Sequence, residues 1–403
     1  MLVLLKNASD RMYFTANRES LEKDAEKVRQ EAREVTDDEN DREGMRRLEE
    51  MNRRKIPTVP VAEDSSLRAE LRALSDAPVI RGRTINILLV GIDSRLSSRS
   101  ARADAIHLFT INPDSAVVEI MSIPRDMYVD LGYPDTTSFN ILANARAVGY
   151  PRFLEHVADV AERGSIRYYV EVGFSQAMGV LEILGYKDPA GTLRFLRNRR
   201  GHAAGDVQRS HNQAVFLRHN LIEKFSLLTG ASGEIILSAG LAFVTTNMSK
   251  EFCRGLIYAL AQRGFPRHRP DAVRLRMPSK YRFRLKDFQA DSATIAQTNR
   301  RLDQLVGDDH APRIHVASYL RRTCREAAAD SNRPGLVIHS LGRLCEQHAW
   351  LQIPDRAERI GVRDTLMNLL QRAYRRVGKE EEARRIEEMR RAEDILIRAD
   401  SNR

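Results

Sequence analysis

The pattern of apolar positions changes three times along the chain. Over the first 60 residues they are sparse, and Leu21, Ala25, Val28, Ala32 and Val35 recur every three or four positions. This spacing lines one helical face and predicts a short seam on a charged, solvated helical arm. Pro57 and Pro60 end it, because proline removes a backbone donor and clashes with the preceding turn.

Near Ile80 the pattern becomes dense. INILLVGI is a near-continuous apolar run of buried-strand length, and AIHLFTI and AVVEIMSI are two further strands joined by the turn-forming NPDS. RYYVEV reads as a fourth strand. Between and after them the period lengthens. FNILANARAVG opens a helix, and RFLEHVADVAERG, FSQAMGVLEILG and SHNQAVFLRHNLIEKFSLLTG are helices closed at Gly164, Gly185 and Gly230. Intermixed strands and helices predict an α/β (α+β) sandwich over residues 80–290, a central mixed β-sheet covered by helices.

YRFRLKDF alternates Tyr281, Phe283 and Leu285 against Arg282, Arg284 and Lys286, a strand with one wet basic face, and VRLRM before it is its expected partner. Past residue 290 the pattern is helical to the end. LMNLLQRAYRRVG and the charged run after it are two helices broken at Gly378, and AYRRVGKEEEARRIEEM is similar to half of a tetratricopeptide unit with Ala383 in the packed position. The organisation expected is a charged arm and linker over 1–60, a core domain over 80–290, and a helical extension over 291–403. The arm and the extension offer surface to protein partners.

Composition narrows this picture. In 403 residues, 65 Lys and Arg outweigh 55 Asp and Glu, a formal charge of +10 that favours anionic partners such as phosphate, nucleic acid or a membrane surface. The aromatics of the basic strand read as core residues, so no specific nucleic-acid contact is expected. Cys253, Cys324 and Cys345 are too few and too widely spaced for a zinc site or a disulfide framework. No run approaches the roughly 18 apolar residues of a membrane span, and MLVLL is too short for a signal-peptide core. IILSAGLAFV reads as a buried element, and the chain is expected to be soluble without an export signal.

The chemistry gathers at strand ends. Asp93, Arg95, Arg102, Asp104, Arg125 and Asp126 follow or precede the first three strands. Arginine is permanently charged and presents a fork of donors suited to phosphate oxygens. Neighbouring carboxylates would orient these arginines or hold Mg²⁺ against the same oxygens. Pro124 makes a rigid exit that fixes Arg125. A second cluster, RFLRNRRGHAAGDVQRSHNQ, supplies Arg197, Arg199, Asp206, Arg209 and Gln213 near a helix start, where unpaired N–H groups favour an anion. There is no G-x-G-x-x-G, Walker, H-E-x-x-H or G-x-S-x-G pattern, so the enzyme classes they mark lose their support.

These segments, taken in order from residue 84 to 225, resemble the LytR-CpsA-Psr (LCP) family of cell-envelope glycopolymer phosphotransferases. NILLVGIDSR, ARADAIHLFTIN, VVEIMSIPRDMYVDL, FNILANARAVG, RYYVEVGFSQAMGVLEILG and LRFLRNRRGHAAGDVQRSHNQ carry the likeness. The resemblance implies an LCP-like core that moves a phosphorylated glycopolymer from a polyprenyl-pyrophosphate carrier to peptidoglycan or protein, in the cell envelope outside the cytoplasmic membrane. It implies that Asp93 and Asp104 bind Mg²⁺ or activate the acceptor hydroxyl, and that Arg125 acts with them in catalysis. Arg95, Arg102, Arg125, Arg197, Arg199, Arg209 and Gln213 would bind the pyrophosphate. Three departures set this chain apart: Asn212 where the family has a second arginine, Gly185-Tyr186 where it has a glycine pair, and YKDPAGT in place of a long lipid-facing segment. The alternatives they open are a non-catalytic binder of phosphorylated glycan or lipid headgroup, and a pyrophosphohydrolase.

Overall fold

A computed structural model describes residues 17–31, 83–92, 102–134, 139–198, 205–266, 272–278, 293, 295–297, 299–300 and 315–401. Its centre is a six-stranded mixed sheet. β1 (Ile85–Ile92) pairs antiparallel with β2 (Ala103–Asn112), which pairs antiparallel with β3 (Val117–Ser122). On the other side of β1 lies β4 (Tyr168–Val172), parallel to it, with the two-residue β5 (Thr245–Thr246) at that edge. β6 (Val273–Arg276) closes the opposite edge, parallel to β3. VRLRM therefore pairs with β3, and the YRFRLKDF strand lies outside the described residues.

Both faces of the sheet are covered, which explains why β1 and β3 read as apolar runs without alternation. On one face Leu88, Val90, Ile106, Leu108 and Met121 pack under α2 (Leu142–Val148) and α3 (Tyr150–Ala161). On the other Ile87, Ile111, Val118 and Ile120 meet α6 (Gly205–Lys224) and α8 (Lys250–Gln262). Before α6 come α4 (Phe174–Ile183) and α5 (Pro189–Arg197), and α7 (Gly230–Phe243) lies between α6 and α8. The α3 helix stops earlier than its glycine implied: Glu162 itself takes the left-handed conformation, at φ 52°. The α6 helix tightens into a 3₁₀ turn over Phe225–Leu228 before Gly230, which starts α7.

The arm helix α1, residues 17–31, is not solvated on all sides. Leu21, Ala25 and Val28 are buried, the first two in a cluster with Tyr258 and Ala259 of α8. Arg254 of α8 grips Asp24, and a Cβ on Gly255 would meet the Asp24 main chain at 2.5 Å. Ala32 and Val35 lie outside the described residues.

The helical extension is α9 (Val316–Ala329), α10 (Pro334–Glu346), α11 (Arg356–Arg376) and α12 (Glu380–Ser401), with a 3₁₀ turn over Ala349–Gln352. Gly378 breaks α11 from α12 at φ 75°, and Ala383 is buried, as the sequence pattern implied. The extension shares a core with the sheet domain. Trp350, Leu351 and Leu366 pack in one cluster with Phe243 of α7 and Val180 and Ile183 of α4. Arg359 holds Glu182 through two bonds of 2.9 and 2.7 Å, and Gln352 donates to Ser175 at 2.7 Å.

Candidate functional site

The start of β2, the exit of β3 and the start of α6 meet at one end of the sheet. The ladder runs one residue past β3, where Ile123 N donates to Ile106 O at 3.0 Å. Pro124 follows, and a turn closes as Met127 N donates to Pro124 O. Arg125 stands at this corner. Its main-chain carbonyl accepts from Ala143 N at 2.8 Å, and that of Met127 accepts from Leu142 N at 2.8 Å. The corner thus caps the orphan donors at the start of α2, which fixes the backbone beneath Arg125.

Arg125 donates to the Asp104 carboxylate in a close ion pair, and its Nε lies 3.5 Å from Asp126 and 3.7 Å from Asp206. Burial alone would lower the affinity of Arg125 for its proton. The charges of Asp104, Asp206 and Asp126 together outweigh that and hold it above its ordinary value. Arg125 is therefore a fixed cation. Arg209, on the second turn of α6, is almost wholly buried; it forms an ion pair with Asp206 at 2.8 Å and donates to the main-chain carbonyl of Asp104 at 2.8 Å.

The first half of α6 carries an unusual run of buried polar side chains: Gln208, Arg209, Ser210, His211, Asn212 and Gln213. Buried polar groups require partners, and the helix finds them on the strands and on itself. Ser210 shares a 2.6 Å hydrogen bond with Ser122 of β3. Gln213 donates to Leu196 O at 2.9 Å, so its Oε1 faces His107 Nε2 of β2 at 3.2 Å. Burial pushes His107 down to about 4, against an upward effect of the Gln213 bond, with the Arg209 charge adding a smaller downward one. Asn212, where the family resemblance calls for arginine, accepts from Gln208 at 2.8 Å and is tied to its own helix.

Of the predicted site residues, the structure brings Asp104, Arg125 and Arg209 together, with Asp206 within ion-pair distance of both arginines. Gln213 belongs to the same helix but is spent on His107 and Leu196. Arg197 is exposed at the end of α5, its guanidinium 5.1 Å from the centre of the Phe174 ring. Arg102 is exposed just before β2. Asp93, Arg95 and Arg199 lie outside the described residues. Sequence reasoning missed His107 and Ser122, which look like ordinary strand positions until α6 lies across them. It also missed Glu171 of β4, which is gripped by Arg146 at 2.5 and 2.8 Å and by the Tyr150 hydroxyl.

Among the described residues no three His, Cys, Asp or Glu side chains converge to hold a metal. Asp104 is committed to Arg125, and its predicted partner Asp93 is not among those residues. Among the described residues, too, no helix is long and apolar enough to cross a membrane.

Comparison with known proteins agrees with the motif order. Residues 61–184 match the model of the LytR_cpsA_psr family, a span that begins before the motifs and ends ahead of the second arginine cluster. A polyisoprenyl-teichoic acid–peptidoglycan teichoic acid transferase TagU of Bacillus cereus is 24% identical over 145 residues, 36% of this chain and 46% of that protein. The TagU of Oceanobacillus iheyensis is 29% identical over 179 residues, 38% of this chain and 55% of that protein. The chain spans about half the length of the curated relatives it matches. Among solved structures, B. subtilis TagV is 17% identical and covers 56% of this chain and 98% of its own, with a TM-score of 0.39. TagT bound to LIIa-WTA is 16% identical over 56% of this chain and 91% of its own, with a TM-score of 0.36.

Proposed function

We propose that this chain, a divergent member of the LytR-CpsA-Psr family, transfers a phosphorylated glycopolymer from a polyprenyl-pyrophosphate carrier to a hydroxyl of peptidoglycan or protein in the cell envelope. The observation that carries this reading is Arg125, a fixed cation at the exit of β3, held by Asp104 and set beside the buried Arg209–Asp206 pair. The family match and the transferase names of the relatives support it.

In this reading the acceptor oxygen attacks the phosphorus that bears the glycan. The bond from that phosphorus to the bridging oxygen breaks, and polyprenyl phosphate leaves. Asp93 or Asp104 takes the hydroxyl proton. Arg125 stabilises the charge that gathers on the phosphate oxygens, and a donor fixed in advance does so without reorganisation at the moment of reaction. Arg95, Arg102, Arg197 and Arg199 are the further candidates for the pyrophosphate oxygens, while Arg209 and Gln213 position α6. Mg²⁺ is a dependence to be tested, and no step here runs through it.

A non-catalytic binder is the second reading. It is favoured by Asn212, which is tied to Gln208 where a further arginine is expected, and by the three carboxylates around Arg125. One experiment separates the readings. The full chain is incubated with a polyprenyl-pyrophosphate-linked oligosaccharide, with and without Mg²⁺ and a peptidoglycan acceptor, and polyprenyl phosphate is measured. Release that needs the acceptor marks the transferase, and release into water alone marks a pyrophosphohydrolase. Binding without release marks the binder, and absence of binding overturns all three.

A further inference from the structure

Residues 125–134 are anchored by Asn140, whose side chain is buried. Its Oδ1 accepts from Leu131 N at 3.2 Å and Tyr133 N at 3.3 Å, its Nδ2 donates to Tyr133 O at 2.8 Å, and its carbonyl accepts from Val129 N at 3.2 Å. Asp130 folds back on Gly132 N at 2.9 Å, Asn144 donates to Phe139 O at 3.0 Å, and Tyr128 forms a β-bridge with Ile141. These bonds fix the backbone on either side of Tyr128 and Tyr133 and at Phe139.

The aromatic side chains on this backbone face solvent. Tyr128, Tyr133 and Phe139 are 50, 48 and 51% exposed, and every exposed large aromatic among the described residues is here. The Tyr133 and Phe139 rings stand 5.6 Å apart at 45°. Burial alternates along the approach: Met127 and Val129 point inward, while Asp126, Tyr128 and Asp130 point out. The exposed strip is thus carboxylate, ring, carboxylate, continuing from Arg125 to a pair of rings.

We infer that Tyr128, Tyr133 and Phe139, with Asp126 and Asp130, form a saccharide subsite. Aromatic faces take the apolar C–H face of a neutral pyranose, and the flanking carboxylates accept its hydroxyl hydrogens. Two carboxylates beside the rings disfavour an anionic membrane or a nucleic acid, which the net charge of the chain would otherwise attract. The subsite starts one residue from Arg125, where a sugar next to a bound phosphate would lie. The inference rests on the proposed function and adds to it which part of the chain reads the glycan.

The test uses the full chain and neutral tetrasaccharides. N-acetylglucosamine tetramers stand for an acceptor strand, and glucose, galactose and mannose tetramers stand for a donor polymer. Saturation-transfer NMR reports which sugar protons lie on protein rings, and titration gives the affinity. At least one probe is expected to bind with saturation concentrated on its axial C–H protons. The Tyr133→Ala/Phe139→Ala double variant, which removes only exposed rings and is checked for fold by circular dichroism, is expected to weaken it by about tenfold or more. If no tetrasaccharide binds, or the double variant binds as the wild type does, the subsite is overturned. It is equally overturned if the rings matter only for phosphatidylglycerol vesicles. Inorganic pyrophosphate is titrated into the wild type in parallel. A chain that binds pyrophosphate but no saccharide keeps the proposed function and loses this subsite, and one that binds saccharide but no pyrophosphate loses the proposed function.

Discussion

Arg209, buried in α6, donates to the main-chain carbonyl of Asp104 in β2 at 2.8 Å. The same nitrogen meets the Asp206 carboxylate at 2.8 Å, so one guanidinium joins the helix start to the strand start. The link to a carbonyl fixes the backbone of Asp104 whatever its side chain does. Arg209→Met should therefore be costly, because it leaves Asp206 without its close cation. Breaking one side of a buried pair typically costs about 3–5 kcal/mol. Arg209→Lys keeps the charge but not the fork, and should fall between the two. Urea denaturation measures this, and a loss for Arg209→Met of under about 1 kcal/mol would show that the pair is peripheral.

The partnership of Asp104 with Arg125 makes a prediction whose sign is informative. If Asp104 only adds negative charge to the site, Asp104→Asn should strengthen pyrophosphate binding. If its role is to aim Arg125, the same change should weaken binding by about tenfold, the scale of one charge-assisted hydrogen bond. We expect weakening, with Arg125→Lys weaker still because an ammonium lacks the planar fork. Calorimetric titration of pyrophosphate into each variant decides between the two signs.

The centre of the sheet was legible in the sequence because β1, β2 and β3 are largely buried, so INILLVGI, AIHLFTI and AVVEIMSI stand out as apolar runs, while RYYVEV shows its β-branched and aromatic residues on a half-buried strand. The Arg125 corner was legible because proline, arginine and aspartate follow a strand directly. What joins Arg125 to Arg209 was only half visible: both clusters were evident, but the pairing of residues about a hundred positions apart is set by where α6 crosses the sheet. His107 and Gln213 pair across 106 residues, and neither marks the other locally. The α1 helix was misread for a similar reason. Its apolar face is narrow enough for a solvated arm, and only the close approach of Gly255 to Asp24 gives it a surface to cover.

His107 predicts a specific pH dependence. Its ordinary value is 6.5, and in the fold burial, aided by Arg209, brings it to about 4. Between these values the unfolded chain takes up a proton that the folded chain refuses, so unfolding gains as pH falls. This contribution is intact above about pH 6.5, is lost progressively toward pH 4, and changes no further below that. Over the window it amounts to on the order of 3 kcal/mol. His107→Gln removes the titrating group, so the difference in stability between wild type and variant should carry this slope while carboxylate effects cancel. A difference that stays flat from pH 7 to 4 would exclude it.

The contact between α4 and the extension yields a prediction about a glycine chosen for space. A Cβ on Gly179 would sit 2.9 Å from Leu351 Cδ1 and 3.6 Å from the Phe243 ring. Leu351 is buried in the same cluster as Trp350, whose indole N–H donates to Glu393 of α12 at 3.2 Å. The neighbour that must give way is thus inside a packed core. Gly179→Val should destabilise by about 1–3 kcal/mol, the usual cost of overpacking. Hydrogen exchange should rise in α4 and in the 3₁₀ turn over Ala349–Gln352, and much less in β1 and β2. Leu351→Ala, harmful alone because it opens a cavity, should recover part of the loss when combined with Gly179→Val, because the truncated side chain makes room for the valine. The double-mutant cycle reads this directly. Additive losses would mean that the two residues do not share the same space, and the extension would then be held to the sheet domain chiefly by the polar bonds of Arg359 and Gln352.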